Sequence, residues 1–147
     1  MQTICKRFEE LTTRELYEIL KTRVDVFVVE QTCPYPEIDE YDLTSWHFYI
    51  VEDNKIASYC RIIPPGIRFQ EASIGRVLAT KRREGYASLL LKEAIQKINK
   101  DYKNCNIKIE AQTYAKSLYE KLGFVQCSEE FLEDDIPHIQ MIRKGDQ

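Results

Sequence analysis

Lys81-Arg82-Arg83-Glu84-Gly85-Tyr86-Ala87-Ser88 has the residue types and spacing to hold an anion. Small residues at Gly85 and Ala87 let a phosphate group come close to backbone amides, and Arg82 and Arg83 add full positive charges. The segment also stands where a helix is expected to begin, and a helix N-terminus carries unpaired N–H groups and a partial positive charge. Together these form a phosphate cradle. The same residues also read as a plain turn, because a glycine before a helix is often only that and arginines in turns are usually solvated. No Gly-Lys-Ser/Thr follows, which excludes a Walker-type loop, and no three-glycine dinucleotide fingerprint is present.

The elements on either side must position this turn. Before it, Ile74-Gly75-Arg76-Val77-Leu78-Ala79 reads as a buried strand; after it, Ala87, Leu90, Leu91, Ala94, Ile95 and Ile98 mark one face of a helix running to Lys100. Ile107-Lys108-Ile109-Glu110-Ala111 alternates as a further strand, so strand, helix and strand form a right-handed βαβ unit whose strands are parallel neighbours. Upstream, Thr12 to Glu15 reads as a capping box that opens a helix ending near Val24, and Val24 to Val29 as its buried continuation or exit. Cys33-Pro34-Tyr35-Pro36 forces an extended loop, because a proline pushes its predecessor out of the α region. Trp46 to Val51 and Ile56 to Ile63 flank a turn and predict a hairpin. A short helix from Tyr114 to Leu122 ends at Gly123, and Phe124 to Cys127 and Ile139 to Arg143 supply late strands.

Composition bounds the rest. The 147 residues, 44% hydrophobic and 31% charged, suit one α/β domain spanning 1–147. A net charge of −3 argues against nucleic-acid binding as the main business of the chain. No apolar run approaches the roughly 18–20 residues of a membrane span, and the first residues lack a signal-peptide core, so a cytoplasmic protein with no membrane partner is expected. Five scattered cysteines without a C-x-x-C pair, and only two histidines, give no zinc spacing; reduced cysteines and no metal are expected. No G-x-S-x-G elbow accompanies the Ser, His and Asp residues, and the acidic loop Glu37 to Asp42 lacks the spacing of a calcium loop. That loop reads as a solvated rim whose negative charge would favour a cationic amine.

Arg82, Gly85 and Ala87, set between strand and helix, resemble motif A of the GNAT acetyltransferases, and Tyr119 followed by Gly123-Phe124 resembles the family's second motif. Arg23 to Gln31 with Cys33 and Tyr35, Ile74 to Val77, and Glu133 to Ile139 are similar to signatures of its ElaA-like branch. Ala87 stands where many members carry glycine, and Asp135 where a glycine is expected. The resemblance implies a GNAT fold, a mixed and strongly twisted sheet with helices on both faces, and acetyl-CoA entering where the two central parallel strands splay apart. It also implies acetyl transfer from acetyl-CoA to a primary amine, on a small metabolite or a peptide, by direct attack in a ternary complex.

In that reading the main chain of Val77, Leu78 and Ala79 pairs with the pantetheine arm, and Arg82, Arg83, Glu84, Gly85, Tyr86, Ala87 and Ser88 hold the pyrophosphate. An alkylamine is protonated at neutral pH, so a base is needed; Glu30, Glu110, Asp134 and His138 are the candidates, although for any one carboxylate a solvated or salt-bridged side chain is the favoured reading. Tyr119, at the edge of a helix whose buried stripe is Ala115, Leu118 and Leu122, is the acid for the departing thiolate; the alternative is a core tyrosine bonded to backbone. A CoA-binding regulatory module without turnover is the alternative function, and a homodimer built on the late strands is the expected assembly.

Overall fold

Apolar runs buried on both faces, as in Lys55–Ile63, and the cleanly alternating Ile107–Gln112 build two antiparallel sheets. In a computed structural model describing residues 1–81 and 84–145, β1 (Gln2–Arg7), β2 (Trp46–Glu52), β3 (Lys55–Ile63) and β4 (Ser73–Ala79) lie side by side, each antiparallel to its neighbour. The β2–β3 hairpin turns through Asp53 and Asn54 with φ of 54° and 60°, a turn whose twist matches its strands. β5 (Ile107–Gln112), β8 (Ile136–Arg143) and β6 (Val125–Gln126) form the second sheet, and β7 (Phe131–Glu133) also pairs with β8. β1 and β7 are absent from the expectation above: β1 mixes polar and apolar residues on an exposed sheet edge, and β7 has three residues.

The expected mixed sheet is therefore two antiparallel sheets meeting at one parallel bridge. Ala72 pairs with Ile107, and the Lys108 amide donates to the Ala72 carbonyl at 2.9 Å. Along Ser73–Ala79 no backbone hydrogen bond joins β4 to β5 among the described residues, so the two strands part. A bulge accompanies the parting. Tyr59 pairs with Leu78 but Arg61 with Gly75, which leaves Arg76 and Val77 together opposite Cys60. Arg76 takes a left-handed φ of 52°, and such a bulge bends its strand and strengthens the local twist.

Helices cover both faces of the first sheet. α1 (Thr13–Arg23) begins with the expected capping box: Thr12 Oγ1 accepts from the Glu15 amide at 3.0 Å, and Glu15 Oε1 from the Thr12 amide at 2.8 Å. Its Ile19 packs with Tyr49, Ile56, Tyr59 and Leu78. The chain then winds on as a π-helix, Val24–Glu30, the continuation rather than the exit, but with Val26 its one buried residue. On the opposite face α2 (Tyr86–Asp101) buries Leu90, Leu91, Ala94, Ile95 and Ile98 against Phe48, Ile50, Cys60 and Ile62. All five cysteines are free, with Cys33 and Cys60 buried. Among the described residues no helix is long and apolar enough to cross a membrane.

The short helix departs from its expected phase. A 3-10 turn, Thr113–Ala115, precedes α3 (Lys116–Glu120), and it is Tyr119 that is buried, 7% exposed, while Ala115, Leu118 and Leu122 are only partly covered. The tighter first turn rotates α3 relative to a continuous α-helical stripe. Phe124 packs edge-on against the Tyr119 ring with centroids 5.7 Å apart, after Gly123 ends the segment at φ 94°.

Candidate active site

Where β4 and β5 part, a cavity of about 470 Å³ opens. Ile74, Gly75 and Val77 line it from β4, Ala111 and Gln112 from β5, and Tyr119 from α3. Phe27 closes it from the π-helix, whose end is tied across the gap by Gln112 Nε2 donating to Gln31 Oε1 at 3.3 Å.

Beside the cavity lies a network of buried charges that the sequence reading placed in solvent. Glu37 and Asp42 are each only 3% exposed. Arg23, fully buried, donates from Nε to Glu37 at 2.7 Å and from Nη1 to Asp42 at 2.7 Å. Arg61 forks onto both oxygens of Asp39 at 2.6 and 2.9 Å and also reaches Asp42 at 2.9 Å. Arg76 Nε lies 2.5 Å from Glu37, and its Nη2 donates to the Glu37 carbonyl at 2.9 Å. Three guanidiniums thus meet three carboxylates. Burial without such partners would be prohibitive, and burial with them is tolerated because each charge finds its opposite and a hydrogen bond. Burial by itself would raise the Asp42 carboxyl, but Arg23 and Arg61 overcome it and hold the group below the usual carboxylate range. His47 sits beneath: burial lowers its imidazole below the ordinary value. A neutral ring satisfies both contacts, Nε2–H donating to the Asp42 carbonyl at 2.9 Å and Nδ1 accepting from the Tyr59 hydroxyl at 2.7 Å.

One sequence signal pointed to this network: arginines inside apolar runs (Cys60-Arg61-Ile62, Gly75-Arg76-Val77) and a loop with four acids, Glu37, Asp39, Glu40 and Asp42. Reading the loop alone hid it.

The other side chains singled out above fall into distinct places. No hydrogen bond reaches the Tyr119 hydroxyl among the described residues, and the side chain borders the cavity; burial raises its pKa, so it carries its proton at neutral pH. Glu110 also borders the cavity, with one oxygen held by Arg68 at 2.5 Å and the other by Gln140 at 2.9 Å. His138 Nδ1–H donates to the Ile136 carbonyl at 2.7 Å, and Nε2 lies 3.6 Å from the Glu133 carboxylate. Its ring stacks on Phe131, centroids 6.1 Å apart. Asp134 lines the same cavity, in a two-residue turn with Asp135 at φ 51° and 62°; Asp135 thus adopts the left-handed backbone for which a glycine was expected. Glu30 is exposed at the end of the π-helix and does not border the cavity.

At the phosphate turn, Gly85 caps α2 with φ 75°, and a Cβ built there meets nothing within 4 Å. Glu84 is exposed, and Tyr86, Ala87 and Ser88 form the first turn of α2, partly buried. Arg82 and Arg83 lie outside the described residues. The Glu52 carboxylate braces the turn, taking Lys81 Nζ at 2.8 Å and the Tyr86 hydroxyl. On β4, Leu78 is buried and its carbonyl accepts from Ser58 Oγ at 2.8 Å; Ala79 is half-buried. An edge strand whose outer row pairs with no strand along Ser73–Ala79, an open glycine at a helix start and, at the cavity, a tyrosine hydroxyl without a partner among the described residues fit a thioester coenzyme lying along β4.

Comparison with known proteins agrees with this geometry. Residues 17–144 match the acetyltransferase (GNAT) domain family. The chain belongs to the GNAT acetyltransferase family. Within it, this GNAT domain is 38% identical over 145 residues to a UPF0039 protein of Schizosaccharomyces pombe, covering 96% of this chain and 95% of that one. Protein ElaA of Escherichia coli is 32% identical over 139 residues, covering 92% and 91%. The crystal structure of Escherichia coli ElaA superposes on this GNAT domain with a TM-score of 0.91 at 30% identity, covering 97% and 99% of the two chains. An acyl-CoA N-acyltransferase from Pseudomonas aeruginosa does so with a TM-score of 0.92 at 36% identity, with the same coverage.

Proposed function

We propose that this protein moves the acetyl group of acetyl-CoA to a primary amine by direct attack in a ternary complex. The observation that carries the reading is Tyr119: a buried side chain bordering the cavity between the parted strands, whose protonated hydroxyl has no hydrogen-bond partner among the described residues. The coenzyme supplies an activated acyl carbon; the protein supplies position and protons. The outer edge of β4 at Val77, Leu78 and Ala79 takes the pantetheine arm through main-chain groups. Amides from Glu84 to Ser88 at the start of α2, with Arg82 and Arg83, take the pyrophosphate.

Proton movement follows from the side chains. The reacting amine gives up a proton to His138 Nε2, the ring nitrogen not engaged with the Ile136 carbonyl. Glu110 is the weaker candidate, because Arg68 and Gln140 already occupy both of its oxygens. As the N–C bond forms and the C–S bond breaks, Tyr119 donates its proton to sulfur and is reprotonated from solvent. Glu30, away from the cavity, serves as a base only through intervening water. Five free cysteines suit a reducing compartment, and we assign the protein to the cytoplasm.

Titration calorimetry with acetyl-CoA, run beside thiol release against a panel of amines, tests the reading. Micromolar binding with amine-dependent thiol release is expected. Binding without release would reduce the protein to a CoA-binding module, and no binding would remove the coenzyme altogether.

A further inference from the structure

One carboxylate holds both ends of the turn that leads from β4 into α2. Glu52, the last residue of β2, accepts from Lys81 Nζ at 2.8 Å on one oxygen and from the Tyr86 hydroxyl on the other. Lys81 stands just past the end of β4 and Tyr86 is the first residue of α2, so the two donors mark the entry and the exit of the turn. Glu52 comes from a different part of the chain, 29 and 34 positions away from them. Its surroundings are tied down. Glu52 pairs with Lys55 across the hairpin, and the Thr80 amide and hydroxyl donate to the Ala57 and Ile56 carbonyls of β3 at 2.9 and 2.8 Å. Asp53 lies 3.6 Å from the same Lys81, and Tyr86 packs against the core that α2 covers. Lys81 and the Tyr86 hydroxyl hold the Glu52 carboxyl below its ordinary range, so it is ionised at neutral pH. An anion beside the place proposed for a pyrophosphate gives no attraction of its own; what it supplies there is geometry.

We propose, resting on the coenzyme reading above, that Glu52 is a positioning residue for the coenzyme: by holding Lys81 and Tyr86 together it keeps the amides at the start of α2 in the arrangement that takes the pyrophosphate. Glu52 acts through these two side chains and not by contact with the coenzyme. A carboxylate suits the task because its two oxygens serve two donors at once, whereas a glutamine offers one acceptor oxygen. A turn ordered in advance does not have to be ordered by the ligand, and that difference appears as affinity.

Charge and positioning make opposite predictions for Glu52→Gln. Removing a negative charge near a phosphate site tightens binding, and releasing the turn weakens it. Calorimetry on the full chain with CoA, and with pantetheine in competition against it, separates them, because pantetheine has the arm but no phosphate. Glu52→Gln should bind CoA about tenfold more weakly, with pantetheine unchanged. Tyr86→Phe frees the exit alone and should show a smaller loss for CoA in the same direction. The double variant should be no weaker than Glu52→Gln, because the two substitutions break one shared contact. Circular dichroism checks each fold, and Tyr86→Phe, which leaves the pair of Glu52 with Lys81 in place, carries the test if the glutamine variant does not fold. Unchanged or tighter CoA binding in Glu52→Gln, an equal loss for pantetheine, or losses that add in the double variant would each overturn the proposal. CoA bound equally by wild type and variants removes the role of Glu52 alone; no CoA binding by the wild type removes the coenzyme reading and this role with it.

Discussion

Arg76 Nε lies 2.5 Å from the Glu37 carboxylate, and the backbone of the same arginine holds a φ of 52° inside β4. A left-handed non-glycine residue costs about 1–2 kcal/mol. The ion pair, together with the Tyr35 ring 5.5 Å from the guanidinium, holds the arginine in place and so keeps the bulge. Loop 33–42 and the strand edge beside the cavity are thereby one mechanical unit.

Glu37→Gln leaves Arg23 and Arg76 short of a charge in a buried place. We expect a loss of about 3 kcal/mol in urea unfolding, together with weaker binding of CoA as the bulge relaxes. Wild-type stability and affinity in the variant would show that the bulge does not depend on the pair.

Tyr119→Phe removes a hydroxyl that has no hydrogen-bond partner among the described residues, so the melting temperature should stay within about a degree or two of wild type. Turnover with saturating acetyl-CoA should fall about 10²–10⁴-fold while coenzyme affinity holds. Near-normal turnover would assign protonation of sulfur to water.

Gly85→Glu introduces a side chain into open space but at φ 75°, so the fold should survive with a loss of about 1–2 kcal/mol. The added carboxylate would stand at the place proposed for the pyrophosphate, and CoA affinity should fall about a hundredfold or more. Gly85→Ala carries the same backbone cost without the charge, and is expected to bind CoA far better than the glutamate variant. Equal affinities in the two would remove electrostatics from the cradle.

Acid should destabilise the protein in two stages. Burial lowers the His47 imidazole, so the unfolded chain takes its proton at a higher pH than the folded one, and stability should decline once pH drops below about 6.5. Asp42 is held low by its arginines against the effect of burial, which adds a steeper loss below about pH 4. Glu15 contributes there too. Burial opposes its ionisation, but the Thr12 amide, Lys6 and the Tyr49 hydroxyl bring its pKa to about 2. Glu15→Gln should therefore flatten part of the melting-temperature slope between about pH 4.3 and 2. A slope unchanged by that substitution would place the acid sensitivity elsewhere.

Local physics was legible in the residues alone. Thr12 and Glu15 form their capping box because both partners lie within one turn, and the stripe Leu90, Leu91, Ala94, Ile95 and Ile98 needs only a helical period to face one side. The β2–β3 hairpin and the Gly85 start of α2 are likewise set by neighbours a few residues apart. What the tertiary structure decided involves partners far apart in the chain. Arg23, Glu37, Asp42, Arg61 and Arg76 span more than fifty positions, so a loop that reads as solvated rim becomes the interior of a charge network only when strand and helix bring arginines to it. The bulge at Arg76 depends on register with β3, and the parting of β4 from β5 on that bulge; neither leaves a periodic signature. Tyr119 turned inward because a 3-10 turn shifted the phase of its helix. Residue type and spacing chose the elements, while long-range electrostatics and register chose which side chains face the cavity.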